Sequence, residues 1–134
     1  SKAAISRVAG WPQDDQRSIH LVAVIETVHL YGTEMLLEGT GGLEHERRLA
    51  KERLDKAAKS LIGASRQVTT EVHTSSDVAG CLLDAAKARD ADLIVLGSRG
   101  KSAWERFLLG SNSLRVLHHA PCSVWIERVP REDD

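Results

Sequence analysis

The chain has 134 residues, 18 basic and 19 acidic side chains, and a formal net charge of −1. That length suits one domain with its own core, and the balanced charge gives no electrostatic basis for binding nucleic acid or a membrane surface. No apolar run approaches the ~20 residues of a membrane-spanning helix, and Cys81 and Cys122, two isolated thiols in a domain of ordinary size, read as reduced, packed cysteines of a cytoplasmic protein.

In chain order, Ser1 to Trp11 predicts a helix, with Ala4, Ile5, Val8 and Ala9 on one face. Pro12 to Arg17 is polar and turn-like. Ile19 to Ile25 is nearly continuous in apolar residues, His20 apart, and predicts a buried strand. Positions 28–42 are rich in glycine and have no clear period. They predict an irregular connection with a short helical turn around Glu34 to Leu37. Leu43 to Ile62 predicts the longest helix, with Leu43, Ala50, Leu54, Ala57, Leu61 and Ile62 as its apolar stripe. Glu44/Arg48, Glu52/Lys56 and Asp55/Lys59 are spaced for ion pairs on its wet faces.

Gln67 to His73 alternates and predicts a strand. Ser76 is placed to cap a helix running to about Arg89, with Val78, Leu82, Ala85 and Ala86 inward. A strand follows at 92–97, then a glycine-rich loop, a helix at 111–119 and a last strand at 123–129. The charged tail from Pro130 to Asp134 predicts a frayed end. Strands alternating with helices indicate an α/β fold with an open, mostly parallel sheet and helices on both faces.

The loop carries the chemistry. Gly97 and Gly100 are followed, across a longer interval, by Gly110, Ser111, Asn112 and Ser113. Glycines let a backbone approach a ligand and aim N–H groups at it. A helix beginning at Ser111 adds unpaired N–H donors and a dipole that favours anions. This is an arrangement for phosphate. Two familiar phosphate loops are excluded by one residue. Gly100-Lys101-Ser102 copies the end of a Walker A motif, and Gly97/Gly100 copies part of a dinucleotide fingerprint, but each needs glycine where Val95 stands.

The spacing Gly-x2-Gly-x9-Gly-Ser resembles instead the ATP-binding motif of the universal stress protein family. Arg99, Phe107, Leu108, Val116, and the strand entry Ala120-Pro121-Cys122-Ser123-Val124 fall where that family places such residues. The resemblance implies a Rossmann-like single domain over 1–134, with strand order 3-2-1-4-5. It also implies that the family's first, central strand and the site Asp that follows it are missing from this chain; we expect them upstream of Ser1.

The resemblance implies a site in which Gly97 and Gly100 meet ribose and phosphate through the backbone. Gly110, Ser111, Asn112 and Ser113 offer donors to the triphosphate of ATP with Mg²⁺. The backbone of Val24 meets adenine, Leu96 walls the base, and Arg99 and Lys101 are basic candidates for phosphate. Family members often carry Val at the position of Asn112, a change that a backbone donor survives. Trp104 and Phe107 are expected to anchor the loop, and Glu105 and Arg106 to face solvent. The resemblance further implies a homodimer through strand 123–129, and a regulatory or sensing role in stress response. The alternatives are a ligand-free dimeric interaction module and a slow ATPase. The second has no evident catalytic base and no complete metal shell, and Ser-His-Asp catalysis would need a Gly-x-Ser-x-Gly elbow that the sequence lacks. The histidines show no His-x3-His spacing, and adjacent His118 and His119 point about 100° apart on a helix, so we expect no metal site of the protein's own.

Overall fold

A computed structural model describes residues 2–30, 33–35, 42–98 and 109–128. The readings at Arg99, Gly100, Lys101, Trp104, Glu105, Arg106, Phe107 and Val129 lie outside the described residues. The elements run α1 (Lys2–Ala9), β1 (Ser18–Glu26), β2 (Val28–Leu30), β3 (Thr33–Met35), α2 (Gly42–Ser60), β4 (Gln67–Ser75), α3 (Val78–Ala88), β5 (Leu93–Gly97), α4 (Ser111–His119) and β6 (Ser123–Glu127).

β1 and β4 pair in parallel along their full lengths, from Ser18 opposite Gln67 to Glu26 opposite Ser75. Their register is set where both begin. The buried Ser65 hydroxyl donates to the carbonyl of Arg17 and accepts from the Gln67 N–H at 3.0 Å. The Arg17 guanidinium in turn donates to the Ala64 carbonyl at 3.0 Å. The turn after α2 is thereby knitted to the segment before β1, and a one-residue slip would break these bonds as well as turn each apolar residue to the wrong face.

β5 and β6 form a second parallel pair, Leu93 opposite Ser123 through Gly97 opposite Glu127. These are the neighbours expected of the third and second, and of the fourth and fifth, strands of the family order. Among the described residues the two pairs are not hydrogen-bonded to each other, so a single five-stranded sheet is not formed.

Helices lie on both faces. α1 packs beside β5 and β6, where Trp11 meets Trp125 with ring centroids 5.4 Å apart. Arg7 donates to both carboxylate oxygens of Glu127, at 3.0 and 2.9 Å. On the opposite face Ala79 and Leu83 of α3 and Val116 of α4 form a buried cluster, against which Leu82, Ile94, Leu96, Ala120 and Val124 pack. Each large apolar side chain buried there stabilises the fold by about 1.5–3 kcal/mol. α2 covers β1 and β4 and buries Leu54.

Three expectations need correction. Positions 28–42 are not simply irregular: β2 and β3 form an antiparallel hairpin, Val28 opposite Met35, so Glu34 and Met35 are strand rather than helical turn. The cap of α3 is Asp77, not Ser76. Its carboxylate accepts from the Gly80 N–H at 3.1 Å, while the Ser75 hydroxyl accepts the Asp77 N–H at 3.0 Å. On α2 the ion pair is Lys51–Asp55 at 3.6 Å. None of the three expected pairs forms, and Leu43 and Ile62, at the two ends of its stripe, are 37% and 60% exposed.

Candidate functional site

Gly97 ends β5 and is buried. The ladder continues one bond further, Ser98 N–H to the Glu127 carbonyl at 2.9 Å. The chain then leaves and returns, and its return is pinned twice. The Gly110 N–H donates to the Ser98 carbonyl at 2.9 Å, and the Ser113 hydroxyl donates to the Gly97 carbonyl at 2.8 Å. The carboxyl end of a parallel strand and the amino end of a helix are thus held side by side, which is where open α/β sheets bind ligands.

Gly110 is the N-cap of α4, and no side chain caps the helix. Its φ of −57° and ψ of 151° are open to any residue, so backbone geometry does not require glycine here. What glycine supplies is the absence of a side chain over the helix start. The first bond of α4 runs from Leu114 N–H to the Gly110 carbonyl at 3.0 Å. The N–H groups of Ser111, Asn112 and Ser113 precede it, and first-turn N–H groups have no carbonyl within their own helix. Ser111 is exposed and Asn112 half-buried, whereas Ser113 is 8% exposed with its hydroxyl committed to Gly97.

Val24 lies near the carboxyl end of β1, opposite His73. Leu96 lies one residue before the end of β5 and packs on the α3–α4 cluster. The structure therefore brings together Gly97, Gly110, Ser111, Asn112 and Ser113, with Leu96 adjoining, while Val24 sits on the other strand pair.

The start of α4 is joined to the start of α3. Arg115 donates to the Asp77 carboxylate. That bond, aided by the Gly80 N–H, holds the Asp77 carboxyl below its ordinary value. The pair neutralises the one acid at these two helix starts whose charge is fixed by geometry, beside donors that suit an anion.

A second group was not legible in the sequence. His20 Nε2 and His73 Nε2 lie 2.7 and 2.6 Å from the two oxygens of Glu71, and His20 Nδ1 lies 2.6 Å from the Thr69 hydroxyl. Hydrogen bonding from His20 is the main cause holding Glu71 below the usual carboxylate range. Positions 69, 71 and 73 share a strand face by alternation, but only the register of β1 against β4 brings His20 to them. Glu71 and His73 border a cleft of about 450 Å³ against α3, where Cys81 and Asp84 also lie. Burial, with Asp84 next in effect, pushes the Cys81 thiol up. Cys81 and Cys122 are both free. Among the described residues no group of three or more His, Cys, Asp or Glu is arranged to hold a metal ion, and no helix is long and apolar enough to cross a membrane.

Residues 1–128 match the family model of the Universal stress protein family. The chain is 32% identical over 100 residues to Universal stress protein MJ0531 of Methanocaldococcus jannaschii, a match that takes in 72% of this chain and 59% of that protein. The chain thus spans less than two thirds of the length of this curated relative. In three dimensions it resembles the hypothetical protein PH0823, with a TM-score of 0.73, 23% identity, and 98% and 89% of the two chains covered. It also resembles the universal stress protein UspA from Lactobacillus plantarum, with a TM-score of 0.66, 23% identity, and 95% and 88% covered. At these identities the structural likeness shows the fold. The family match, over nearly the whole sequence, shows the kinship: the chain belongs to the universal stress protein family.

Proposed function

We propose that the segment from Leu96 to Ser113 binds an adenine nucleotide, ATP with Mg²⁺, and that the domain serves a regulatory or sensing role in stress response rather than turning a substrate over. One observation carries the reading. The side-chain-free helix start at Gly110 is fastened beside Gly97 by the Ser113 hydroxyl and the Gly110 N–H.

In this reading the phosphates lie over the first turn of α4 and take the N–H groups of Ser111, Asn112 and Ser113, together with the exposed Ser111 hydroxyl. Gly97 and Gly100 admit the ribose and phosphate to the backbone, and Arg99 adds positive charge. The Val24 backbone meets adenine, and Leu96 supports the base. Gly97, Ser98, Leu109, Gly110, Ser111, Asn112 and Ser113 include no carboxylate, so these residues suit Mg²⁺ that arrives bound to the phosphates. Several charge-assisted bonds at about 1.5–3 kcal/mol each, less the cost of ordering ligand and loop, correspond to micromolar binding, about −8 kcal/mol.

The proposal includes a homodimer through β6, which pairs with β5 on one edge and with nothing else among the described residues. An unpaired edge is a ready template for a second chain. Two free thiols fit a reducing compartment, and we place the protein in the cytoplasm. The second reading, a dimeric module of the same fold without ligand, rests on that edge alone. The two are separated by heating the purified protein and identifying what it releases by mass spectrometry. ATP or ADP near one equivalent supports the nucleotide site. No nucleotide, with no saturable response to added Mg-ATP, supports the ligand-free module.

A further inference from the structure

The pairs Arg7–Glu127 and Arg115–Asp77 each tie a helix to a neighbouring element, and they are built differently. Arg7 donates to both oxygens of Glu127, at 3.0 and 2.9 Å, and the Trp125 indole N–H donates to the same carboxylate at 2.9 Å. Only 17% of the Glu127 side chain is exposed. Arg115 bonds closely to one oxygen of Asp77, Oδ1, while its second bond, to Oδ2, is stretched to 3.5 Å. Oδ1 also accepts the Gly80 N–H at 3.1 Å. Both side chains are half exposed, Arg115 at 52% and Asp77 at 53%. The first pair is a two-point clamp between α1 and β6. The second is a one-point contact at the surface, and exposed pairs of that kind contribute little to stability.

Arg115 stands four residues after Ser111 on α4. Positions four apart share a helix face, and helical side chains lean toward the N-terminus. Arg115 therefore overlies the first turn of its own helix, whose N–H groups have no carbonyl within that helix. From Leu109 to Leu117 it is the one cationic side chain. Asp77 does not depend on it for its place. The Gly80 N–H and the Ser75 hydroxyl, which accepts the Asp77 N–H at 3.0 Å, hold Asp77 at the start of α3, where the helix dipole favours its charge with or without Arg115. A guanidinium is a planar fork that matches phosphate oxygens, and a polyphosphate carries more charge than one carboxylate.

We infer that Arg115 is a phosphate ligand of the site on α4 and that Asp77 restrains it. The carboxylate keeps the guanidinium in the ligand-free protein, and a nucleoside di- or triphosphate draws it across to the phosphates. The inference rests on the nucleotide reading of the Leu96–Ser113 segment and adds to it a residue outside the glycine-rich motif. Asp77 then sets how tightly the site binds, because each binding event must break its pair with Arg115.

The test titrates Mg-ATP into the 134-residue protein and into Asp77→Asn, Arg115→Gln and Arg115→Lys. Calorimetry reads affinity. NMR follows the guanidinium carbon of Arg115, assigned by its loss in Arg115→Gln. Asp77→Asn keeps the cap and, freed of the pair, should bind at least about 3-fold more tightly than wild type. Arg115→Gln should bind about 10-fold more weakly. Arg115→Lys, which keeps the charge and loses the fork, should fall between Arg115→Gln and wild type. The Arg115 signals of wild type and Asp77→Asn should differ without ligand and converge at saturation, because both proteins then place the guanidinium on phosphate. Three results would overturn the inference and leave the nucleotide site standing: signals as far apart with Mg-ATP as without it, Asp77→Asn binding no more tightly than wild type, or Arg115→Gln binding as tightly as wild type. No saturable binding by any of the four proteins would overturn the nucleotide reading, and this inference with it.

Discussion

The hydroxyl of Ser113 donates to the carbonyl of Gly97 at 2.8 Å, across sixteen residues of chain and out of contact with solvent. One side chain thereby sets the distance between the strand end and the helix start on which the proposed phosphate site depends. Replacing Ser113 by Ala removes the donor and leaves the buried carbonyl short of a partner, a loss of about 1–3 kcal/mol. The expected result is a lower urea midpoint at unchanged slope, together with weaker Mg-ATP binding. An unchanged midpoint would show that the bond does not hold the site together.

Asp77 has two roles that substitution separates. Asp77→Ala loses both the cap on Gly80 and the bond from Arg115. Asp77→Asn keeps an oxygen for the cap, since Asn caps as well as Asp, and loses the charge. We expect a melting temperature clearly lower for the Ala variant and close to wild type for Asn. Equal losses would assign the stabilisation to the ion pair with Arg115 instead.

Acid should destabilise the fold through three identified carboxylates. Glu71 is held low first by His20, Asp77 first by Arg115, and Glu127 first by Arg7 and then by the Trp125 indole N–H. Each has a folded-state value below its unfolded one. The stabilisation is therefore fully present above the unfolded value, about 4 for Asp and Glu, and is lost as pH falls through the depressed folded values. Urea midpoints should hold steady from neutral pH to about pH 5 and fall below it, with a smaller fall in Glu127→Gln. A midpoint that rises on acidification would contradict these assignments.

The α/β alternation, the strand–loop–helix at 93–119 and the parallel character of the pairs were legible because apolar runs and glycine positions report them locally. The hairpin at Val28 to Met35 was missed because its strands are three residues each, too short to show a period. The α3 boundary moved by one residue because Ser75, Ser76 and Asp77 all suit a cap, and the choice rests on which side-chain oxygen accepts from the Gly80 N–H, here that of Asp77. The His20–Glu71–His73 contact depends on register across 51 residues, which composition and spacing do not encode.

The dimer proposal predicts that the protein sediments as a dimer at tens of micromolar. Ile126→Pro, which removes a backbone donor from β6 where it faces either β5 or a second chain, should yield a monomer. Wild-type protein that sediments as a monomer would refute the proposal without the variant.

The central claim, a nucleotide on the uncovered start of α4, is tested most directly by calorimetric titration of Mg-ATP into wild type and Gly110→Val. The backbone at Gly110 accepts any residue, so the variant should melt within a few degrees of wild type while a branched side chain covers the phosphate donors. The account predicts micromolar binding by wild type and at least about 30-fold weaker binding by the folded variant, about 2 kcal/mol. Equal affinity of the two proteins would contradict it.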